Sequence, residues 1–271
     1  MDFTLKDAYG KEFRLSDYKD GIVVLEWVNQ DCPVSKGKHA KKAMQDTYAK
    51  YADKVVWLGI DTTQRPGSVA LLEADGRTVQ IDLRDDLSTS ESLLPAVRDL
   101  LEGAGTEGTR LSGIGACLGP GSYTGLRICA ATAAGLASGW GVPVKGVPVL
   151  RAIAYASGSE SPVLAVVRAR EGEVFAAAFE SGDPFSRELL PPGVYTCEAV
   201  SAWMDARPGS VCEGPGAPMI RAGIDPGRCP APGASVTARL AAAYFVACGP
   251  DASLRPLYLR SFRQKAAAGV P

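Results

Sequence analysis

Histidine is nearly missing from this chain, which carries only His39 among its 271 residues. Metal sites built from several imidazole ligands are therefore excluded. The seven cysteines form no CxxC pair and no other spacing typical of metal ligands. Their odd number and wide scatter favour reduced, mostly buried thiols over a disulfide framework. We therefore expect this chain to bind no metal.

A large net charge and long apolar runs are missing as well. The formal net charge of −1 gives no global electrostatic reason for binding nucleic acid or a membrane, so contact with RNA would need a local patch or a partner. No apolar run reaches membrane-spanning length, and the N-terminus lacks the charged-then-apolar pattern of a secretory signal. These absences predict a cytoplasmic protein that does not bind membranes.

The length of the chain and the placement of its basic residues indicate more than one segment. A chain of 271 residues exceeds the usual size of a single domain. Nine of the eleven lysines lie within residues 1–54, whereas seventeen of the eighteen arginines follow that segment. We predict a first segment at residues 1–56 and two lobes at residues 57–160 and 161–271.

The clearest local feature is a glycine-rich turn, GPGSYTG, at residues 119–125. Glycine permits backbone angles that other residues resist, and a serine or threonine can cap the helix that follows. Exposed amides at a helix N-terminus favour anions, so the turn is a candidate phosphate loop. The helix after it has little side-chain bulk on one face, which would allow another helix to approach closely. The candidate phosphate-binding residues in the turn are Gly119, Gly121, Ser122, Thr124 and Gly125.

The same turn belongs to a set of motifs that resembles the TsaB (YeaZ) family over residues 57–261. In chain order the set is GIDTT with GSVALL, then SLLP, GPGSYTGLRI and PLYLR. This family is the non-catalytic partner in bacterial synthesis of the threonylcarbamoyl modification on adenosine 37 of tRNA. The resemblance implies an α/β protein with the two-lobed ASKHA fold (actin-like ATPase or RNase H-like). It also implies a scaffold subunit, not an enzyme by itself, that binds and orders a TsaD-like catalytic subunit.

The resemblance implies further partners and a surface for them. A TsaE-like ATPase would join the pair, tRNA would be bound indirectly, and the chain could also form a homodimer. No cofactor is expected on this chain alone, whereas ATP or ADP would bind in the complex with partners. The partner surface would lie on an amphipathic helix at residues 89–104 and on the helix after Thr124, although such an apolar stripe is usually core. Its predicted residues are Leu93, Leu94, Val97, Leu100, Leu101, Leu126, Arg127, Ala130 and Ala134.

Asp61, Thr62 and Thr63 follow a predicted strand and resemble the entry of the ASKHA fold. In that fold the first hairpin surrounds a nucleotide phosphate and the aspartate orients metal or water, so these residues join the candidate phosphate site. The alternative is a simple turn, closed by hydrogen bonds between side chains and backbone. An ASKHA-type ATPase using Asp61 and the glycine turn would also need a second polar catalytic residue, and no clear one is present.

Residues 1–58 resemble the N-terminal half of a redoxin of the AhpC/TSA, thioredoxin-like class. The pattern is a buried strand, Cys32 in the next loop, a helix and a second strand. A helix N-terminus and nearby cations lower the pKa of a peroxidatic cysteine, so a thiol peroxidase acting through Cys32 is an alternative function. Ser35 takes the second position of a CxxC pair, and the later redoxin elements are missing. We therefore predict an appended, truncated thioredoxin-like segment.

The second half of the chain contains a predicted hairpin and, near its end, a predicted helix and strand. A hairpin predicted around Glu171 and Gly172 resembles the family's DARxxEVY-like segment, with Arg168 where an aspartate is common. The family's polar role is therefore not carried over to Arg168. Near the end, apolar spacing predicts a closing helix at residues 236–248 and a final strand at residues 257–260.

Overall fold

A computed structural model of the chain divides into two compact units, Met1–Tyr51 and Ala52–Pro271. The residues that it describes are 4–6, 12–14, 56–221, 223–224 and 231–259.

In the first unit, the described residues form a hairpin of two short strands, β1 (Thr4–Lys6) and β2 (Glu12–Arg14). The strands pair antiparallel, with Leu5 opposite Phe13. The predicted first redoxin-like strand, the helix after it and Cys32 lie outside the described residues.

Five strands of the second unit form the sheet of the first lobe, in the order β5-β4-β3-β6-β7. Their bounds are β3 (Trp57–Asp61), β4 (Ser68–Leu72), β5 (Thr78–Asp82), β6 (Gly113–Cys117) and β7 (Val144–Val147). Strands β3 to β5 pair antiparallel, whereas β3, β6 and β7 are parallel. Every residue of β3 and β6 is buried, as is usual for central strands covered on both faces. Because β3 and β6 run in the same direction, Asp61 and Cys117 end at the same edge of the sheet.

Two helices, α1 (Thr89–Gly103) and α2 (Tyr123–Trp140), pack together over one face of this sheet. Helix α1 begins with a capping box. The Ser88 hydroxyl accepts from the Glu91 N–H (3.3 Å), and the Glu91 carboxylate accepts from the Ser88 N–H (3.0 Å). These local hydrogen bonds explain why the helix starts where the sequence predicts it.

The opposite face of the same sheet is covered by α5 (Gly233–Cys248). We predicted this helix within the second lobe, but it packs on β3, β4 and β6 of the first. Two glycines allow the close approach. A Cβ on Gly59 would lie 2.1 Å from the Ala234 carbonyl oxygen, and one on Gly115 would lie 2.5 Å from the Ala241 Cβ.

The second lobe contains a four-stranded sheet in the order β10-β9-β8-β11. Its strands are β8 (Val163–Arg168), β9 (Glu173–Phe179), β10 (Glu188–Thr196) and β11 (Val211–Glu213). Only β11 pairs in parallel, with β8. Helix α3 (Val149–Ser157) packs on β8 and β9, and α4 (Cys197–Asp205) packs on β9 and β10. Short 3-10 helices occur at Gly108–Arg110 and Ala217–Met219.

The chain after α5 does not form the predicted final strand, since residues 257–259 are described and lie outside any strand. Leu257 donates one main-chain hydrogen bond to the Leu118 carbonyl (2.7 Å). The Asp251 carboxylate accepts from Lys145 Nζ and from the Gly146 N–H, both at 2.7 Å. A strand needs regular main-chain pairing along several residues. Here hydrogen bonds from side chains and isolated main-chain hydrogen bonds hold the segment after α5 beside β7.

Candidate functional site

The turn after β3 contains the predicted residues Asp61, Thr62 and Thr63, all of which are buried. Asp61 Oδ1 accepts from the Thr63 N–H (2.9 Å) and from the Thr63 hydroxyl (2.6 Å). The Thr62 hydroxyl donates to the Gly125 carbonyl oxygen (2.7 Å). These are the hydrogen bonds that the turn-closing interpretation requires.

The predicted phosphate loop is packed directly against this turn. The Ser122 N–H donates to the Thr63 carbonyl (2.9 Å), and the Ser122 hydroxyl accepts from the Gly125 N–H (3.2 Å) as the N-cap of α2. A Cβ on Gly121 would lie 2.5 Å from the Thr63 carbonyl oxygen, and one on Gly125 would lie 2.0 Å from that of Thr62. The two segments are in direct main-chain contact, and Thr63, Gly121 and Ser122 also line an open cleft.

The two remaining loop residues take other roles. Gly119 has a φ of +94°, a left-handed conformation that favours glycine, and is buried as the first residue of the turn. Thr124 is exposed in the first turn of α2. The structure therefore brings the predicted residues together, but it uses them as a joint between β3 and α2.

The second oxygen of Asp61 is the unusual feature of the joint. Oδ2 is buried and has no hydrogen-bond partner among the residues that the structure describes. Burial is the main cause that raises the pKa of this carboxyl above its ordinary value, and the hydrogen bonds from Thr63 partly oppose the shift. A buried charge is costly, so burial favours the neutral carboxyl.

The predicted partner surface on α1 needs correction. Leu93, Val97, Leu100 and Leu101 are buried against the sheet of the first lobe, so their side chains are not available to a partner. The apolar stripe is core because it faces β4 and β5. Only Leu94 of the predicted α1 residues lies on the outer side, with 52% of its surface exposed.

Helix α2 shows the same division between its sides. Leu126 and Ala130 are buried under the helix, whereas Arg127 and Ala134 are exposed. The exposed side continues through small residues, and a Cβ added at Gly135 would meet no atom within 4 Å. Other exposed residues of this side are Ala131, Ser138 and Gly139. We call Ala131, Ala134, Gly135, Ser138 and Gly139 the small-residue face.

A cluster of Tyr123, Arg127 and Tyr258 lies at the N-terminal end of α2. The Arg127 guanidinium lies 3.9 Å from the centroid of the Tyr123 ring and donates to the Tyr258 hydroxyl (3.2 Å) and to the Tyr123 hydroxyl. The two tyrosine rings are 5.2 Å apart, and each tyrosine is 45% exposed. Sequence reasoning missed both tyrosines, although each lies inside a motif that it had singled out.

A cleft of about 450 Å³ opens between the lobes beside the joint. Arg65 and Ser122 line it from the first lobe, and Arg168, Arg170 and Phe175 line it from the second. Sequence reasoning singled out Arg168 but not Arg65 or Arg170, since nothing in the chain order brings these arginines together.

Two of the described cysteines, Cys117 and Cys129, are fully buried free thiols, and Cys248 is an exposed free thiol. Burial raises the pKa of the Cys117 thiol well above its ordinary range and that of Cys129 to about 12. Within the same described segments, no group of three metal-ligating side chains comes together and no helix is long and apolar enough to cross a bilayer.

Fold and site together define a class of protein. The second unit consists of two α/β lobes, with a mixed five-stranded sheet in the first and a cleft between them, which is the ASKHA architecture. The loop that would hold a nucleotide phosphate in an ATPase of this class is here a structural joint.

Comparisons with known proteins narrow this class. A family model described as TsaD, tRNA N6-adenosine threonylcarbamoyltransferase, matches residues 88–209, and the AhpC/TSA family model matches residues 1–89. The tRNA threonylcarbamoyladenosine biosynthesis protein TsaB of Escherichia coli (strain K12) is 36% identical over 126 residues, which are 45% of this chain and 54% of that protein. The protein of the same name from Bacillus subtilis (strain 168) is 31% identical over 49% of this chain and 59% of its own length. The chain thus spans about half the length of these curated relatives.

Longer matches extend the comparison. An uncharacterized protein of Mycobacterium tuberculosis is 35% identical over 185 residues, 68% of this chain and 80% of that protein. The structure described as YeaZ from Pseudomonas aeruginosa superposes with a TM-score of 0.60 at 25% identity, covering 76% of this chain and 100% of that one. The chain belongs to the TsaB (YeaZ) family, which confirms the prediction from its motifs. The AhpC/TSA match agrees with the predicted resemblance of the N-terminal segment.

Proposed function

We propose that this chain is a non-catalytic scaffold subunit in the synthesis of N6-threonylcarbamoyladenosine at position 37 of tRNA. It binds and orders a TsaD-like catalytic subunit, in which the threonylcarbamoyl transfer takes place, and it works in the cytoplasm. The names of the curated relatives support this biosynthetic role. The closed joint at Asp61 supports a structural rather than a phosphoryl-transfer role for the ASKHA core of this chain.

The observation that carries the proposal is the open small-residue face of α2. Alanine, serine and glycine allow the backbone of a second helix to approach closely, and side-chain ridges then pack into the grooves between them. Tyr123, Arg127 and Tyr258 stand at one end of this face as a preorganised group. Tyrosine and arginine are enriched among the residues that dominate binding energy at interfaces. The face and the cluster together suit a partner that presents a helix.

Other components follow from the same proposal. A TsaE-like ATPase joins the assembled pair, and ATP or ADP binds to the complex of the subunits. The tRNA is bound through the partner. A second copy of this chain is the competing occupant of the α2 face, since a homodimer would use the same small residues.

The proposal is tested by titrating the full chain with the TsaD-like subunit of the same organism in a calorimeter. Ala134→Trp places a bulky ring on the small-residue face, and we expect it to weaken binding by about tenfold or more because the helices can no longer approach. The matched control is Ala247→Trp, another exposed alanine near the end of α5, which should bind like the parent chain.

Light scattering of the chain alone identifies self-association. A parent chain that does not bind the TsaD-like subunit, or an Ala134→Trp variant that disrupts only a homodimer, would show that the α2 face has another occupant and that the proposal is wrong.

A further inference from the structure

Strand β5 lies at the edge of the sheet in the first lobe, where β4 is its only neighbour among the described strands. The two strands pair antiparallel, and along such a pair the main-chain groups of successive residues point alternately toward the partner strand and away from it. The Leu83 N–H donates to the Gly67 carbonyl (2.7 Å), so the odd-numbered residues of β5 are the ones bonded to β4. The main-chain groups of Thr78, Gln80 and Asp82 therefore point outward from the edge.

The other sheet edges in the described part of the chain are covered, interrupted or short. The edge at β7 is covered by the segment after α5, whose Asp251 N–H donates to the Val144 carbonyl (3.0 Å). Strand β10 contains Pro191 and Pro192, which have no N–H to donate, and its register with β9 shifts twice. Strand β11 is three residues long. Strand β5 is five residues long and has no proline, lysine or register shift, so it lacks the usual protection of an edge strand.

The sequence of β5, TVQID, is complementary to itself when two copies pair antiparallel about Gln80. Thr78 then lies opposite Asp82 of the second copy, where its hydroxyl can donate to that carboxylate. Val79, which is 40% exposed, lies opposite Ile81 of the second copy, and both side chains are apolar and on the same face of the sheet. Because the pairing is two-fold symmetric, each of these contacts occurs twice.

The register about Gln80 is the best of those that the strand allows. Outward-pointing residues must pair with each other, so one copy can slide along the other only in steps of two residues. A step in one direction places Thr78 opposite Arg84, and a step in the other places Asp82 opposite Gly76. Arg84 and Gly76 lie outside the strand. The register about Gln80 therefore pairs all five residues of β5 with residues of β5, and the shifted registers do not.

We propose that β5 is a self-association surface, at which two copies of this chain pair their β5 strands antiparallel about Gln80 and join their sheets into one. The inference goes beyond the proposed function and does not depend on it. Helix α2 packs on β3, β6 and β7, whereas β5 is at the far edge of the sheet. A dimer formed at β5 thus leaves the small-residue face to the TsaD-like subunit, and each proposal can fail without the other.

Sedimentation equilibrium of the full chain without partners, over a series of concentrations, tests the pairing. We expect a monomer–dimer equilibrium in the parent chain. Thr78→Asp places a carboxylate opposite Asp82 of the second copy and should weaken dimerisation by about tenfold, whereas Thr78→Lys places an ammonium there and should strengthen it. The double variant Thr78→Asp/Asp82→Lys exchanges the charges and should recover the dimer. The matched controls Thr109→Asp and Thr109→Lys change an exposed threonine of another segment and should leave dimerisation unchanged.

Hydrogen exchange measured by NMR examines the same strand without substitution. The amides of Thr78, Gln80 and Asp82 should exchange more slowly as the concentration of the chain rises, because they become bonded to the second copy. The amides of Val79 and Ile81 are bonded to β4 in the monomer and should change less.

Three results would overturn the proposal. The first is a chain that stays monomeric at every concentration. The second is a dimer on which Thr78→Asp and Thr78→Lys have equal or reversed effects. The third is a dimer that Ala134→Trp abolishes while the Thr78 variants leave it intact, since this would place the contact on α2.

Discussion

The inner sides of α1 and α2 are buried by the rest of the chain, whereas their outer sides are exposed. On the inner side, Leu93 and Leu100 fill the core of the first lobe, and Gly125 lies in main-chain contact with Thr62. On the outer side, α2 presents alanine, serine and glycine with open space around Gly135. Small and apolar residues occur on both sides, so residue type alone does not distinguish core from interface. What distinguishes them is whether the chain itself already covers the surface.

The largest difference between the sides is expected from two neighbouring leucines of α1. Leu93→Ala should lower the free energy of unfolding by about 2–5 kcal/mol, because it removes a fully buried side chain and leaves a cavity. Leu94→Ala should change it by less than about 0.5 kcal/mol, because that side chain is mostly exposed. Urea denaturation of both variants measures the difference. Equal losses would show that the two sides are not distinct.

Alanine in place of Gly125, on the inner side of α2, should lower stability, whereas alanine in place of Gly135, on its outer side, should raise it. Gly125→Ala should lower the free energy of unfolding by about 1–3 kcal/mol, because the new Cβ would overlap the Thr62 carbonyl oxygen and force the joint to open. Chemical denaturation followed by circular dichroism measures this loss. A variant as stable as the parent would show that the joint is loose enough to admit a ligand.

The buried carboxyl of the joint gives a pH-dependent test. The pKa of Asp61 is raised in the folded state, so its contribution to stability is fully present below its unfolded pKa and is lost as pH rises through the folded pKa. Asp61→Asn does not ionise and keeps an oxygen that can accept from Thr63. We expect the variant to gain stability relative to the parent as pH rises from acid to neutral. Urea titrations across that range measure it, and a relative loss with rising pH would contradict it.

A small gain in stability is expected from the outer side of α2. Gly135→Ala should raise the free energy of unfolding by about 0.5–1 kcal/mol, because alanine is the better helix former and its methyl group meets open space. Thermal denaturation measures the gain. If the small-residue face binds a partner helix, the same variant should bind that partner more weakly although it is more stable. Improved stability with unchanged binding would place the partner elsewhere.

Local signals in the sequence predicted α1 and the start of α2. Ser88 and Glu91 have the side chains of a capping box, and the apolar spacing after them predicts α1 almost to its ends. Ser122 caps α2 at the end of the glycine turn, where the sequence places a helix start. Each of these features depends on residues within a few positions of one another. The predicted strand at residues 257–260 failed because it depends on a pairing partner that local pattern does not specify.

The candidate sites were harder to predict. The sequence placed Asp61 to Thr63 and the glycine turn in one candidate phosphate site, but their main-chain contact depends on the packing of β3 against β6. Helix α5 was assigned to the second lobe from chain order, whereas Gly59 and Gly115 admit it to the first. The arginine cleft joins a turn of one lobe to a hairpin of the other across about a hundred residues of chain.

By itself, the sequence determined the family, the starts of α1 and α2 and the lack of a metal site built from several histidines, because composition and short-range spacing carry that information. Only the tertiary structure decided which side of α1 is core, that the glycine turn is a joint, and that three distant arginines share one cleft. The physical reason is that the spacing of apolar residues shows which side chains lie on the same face of a helix or strand. What covers that face depends on segments far away in the chain.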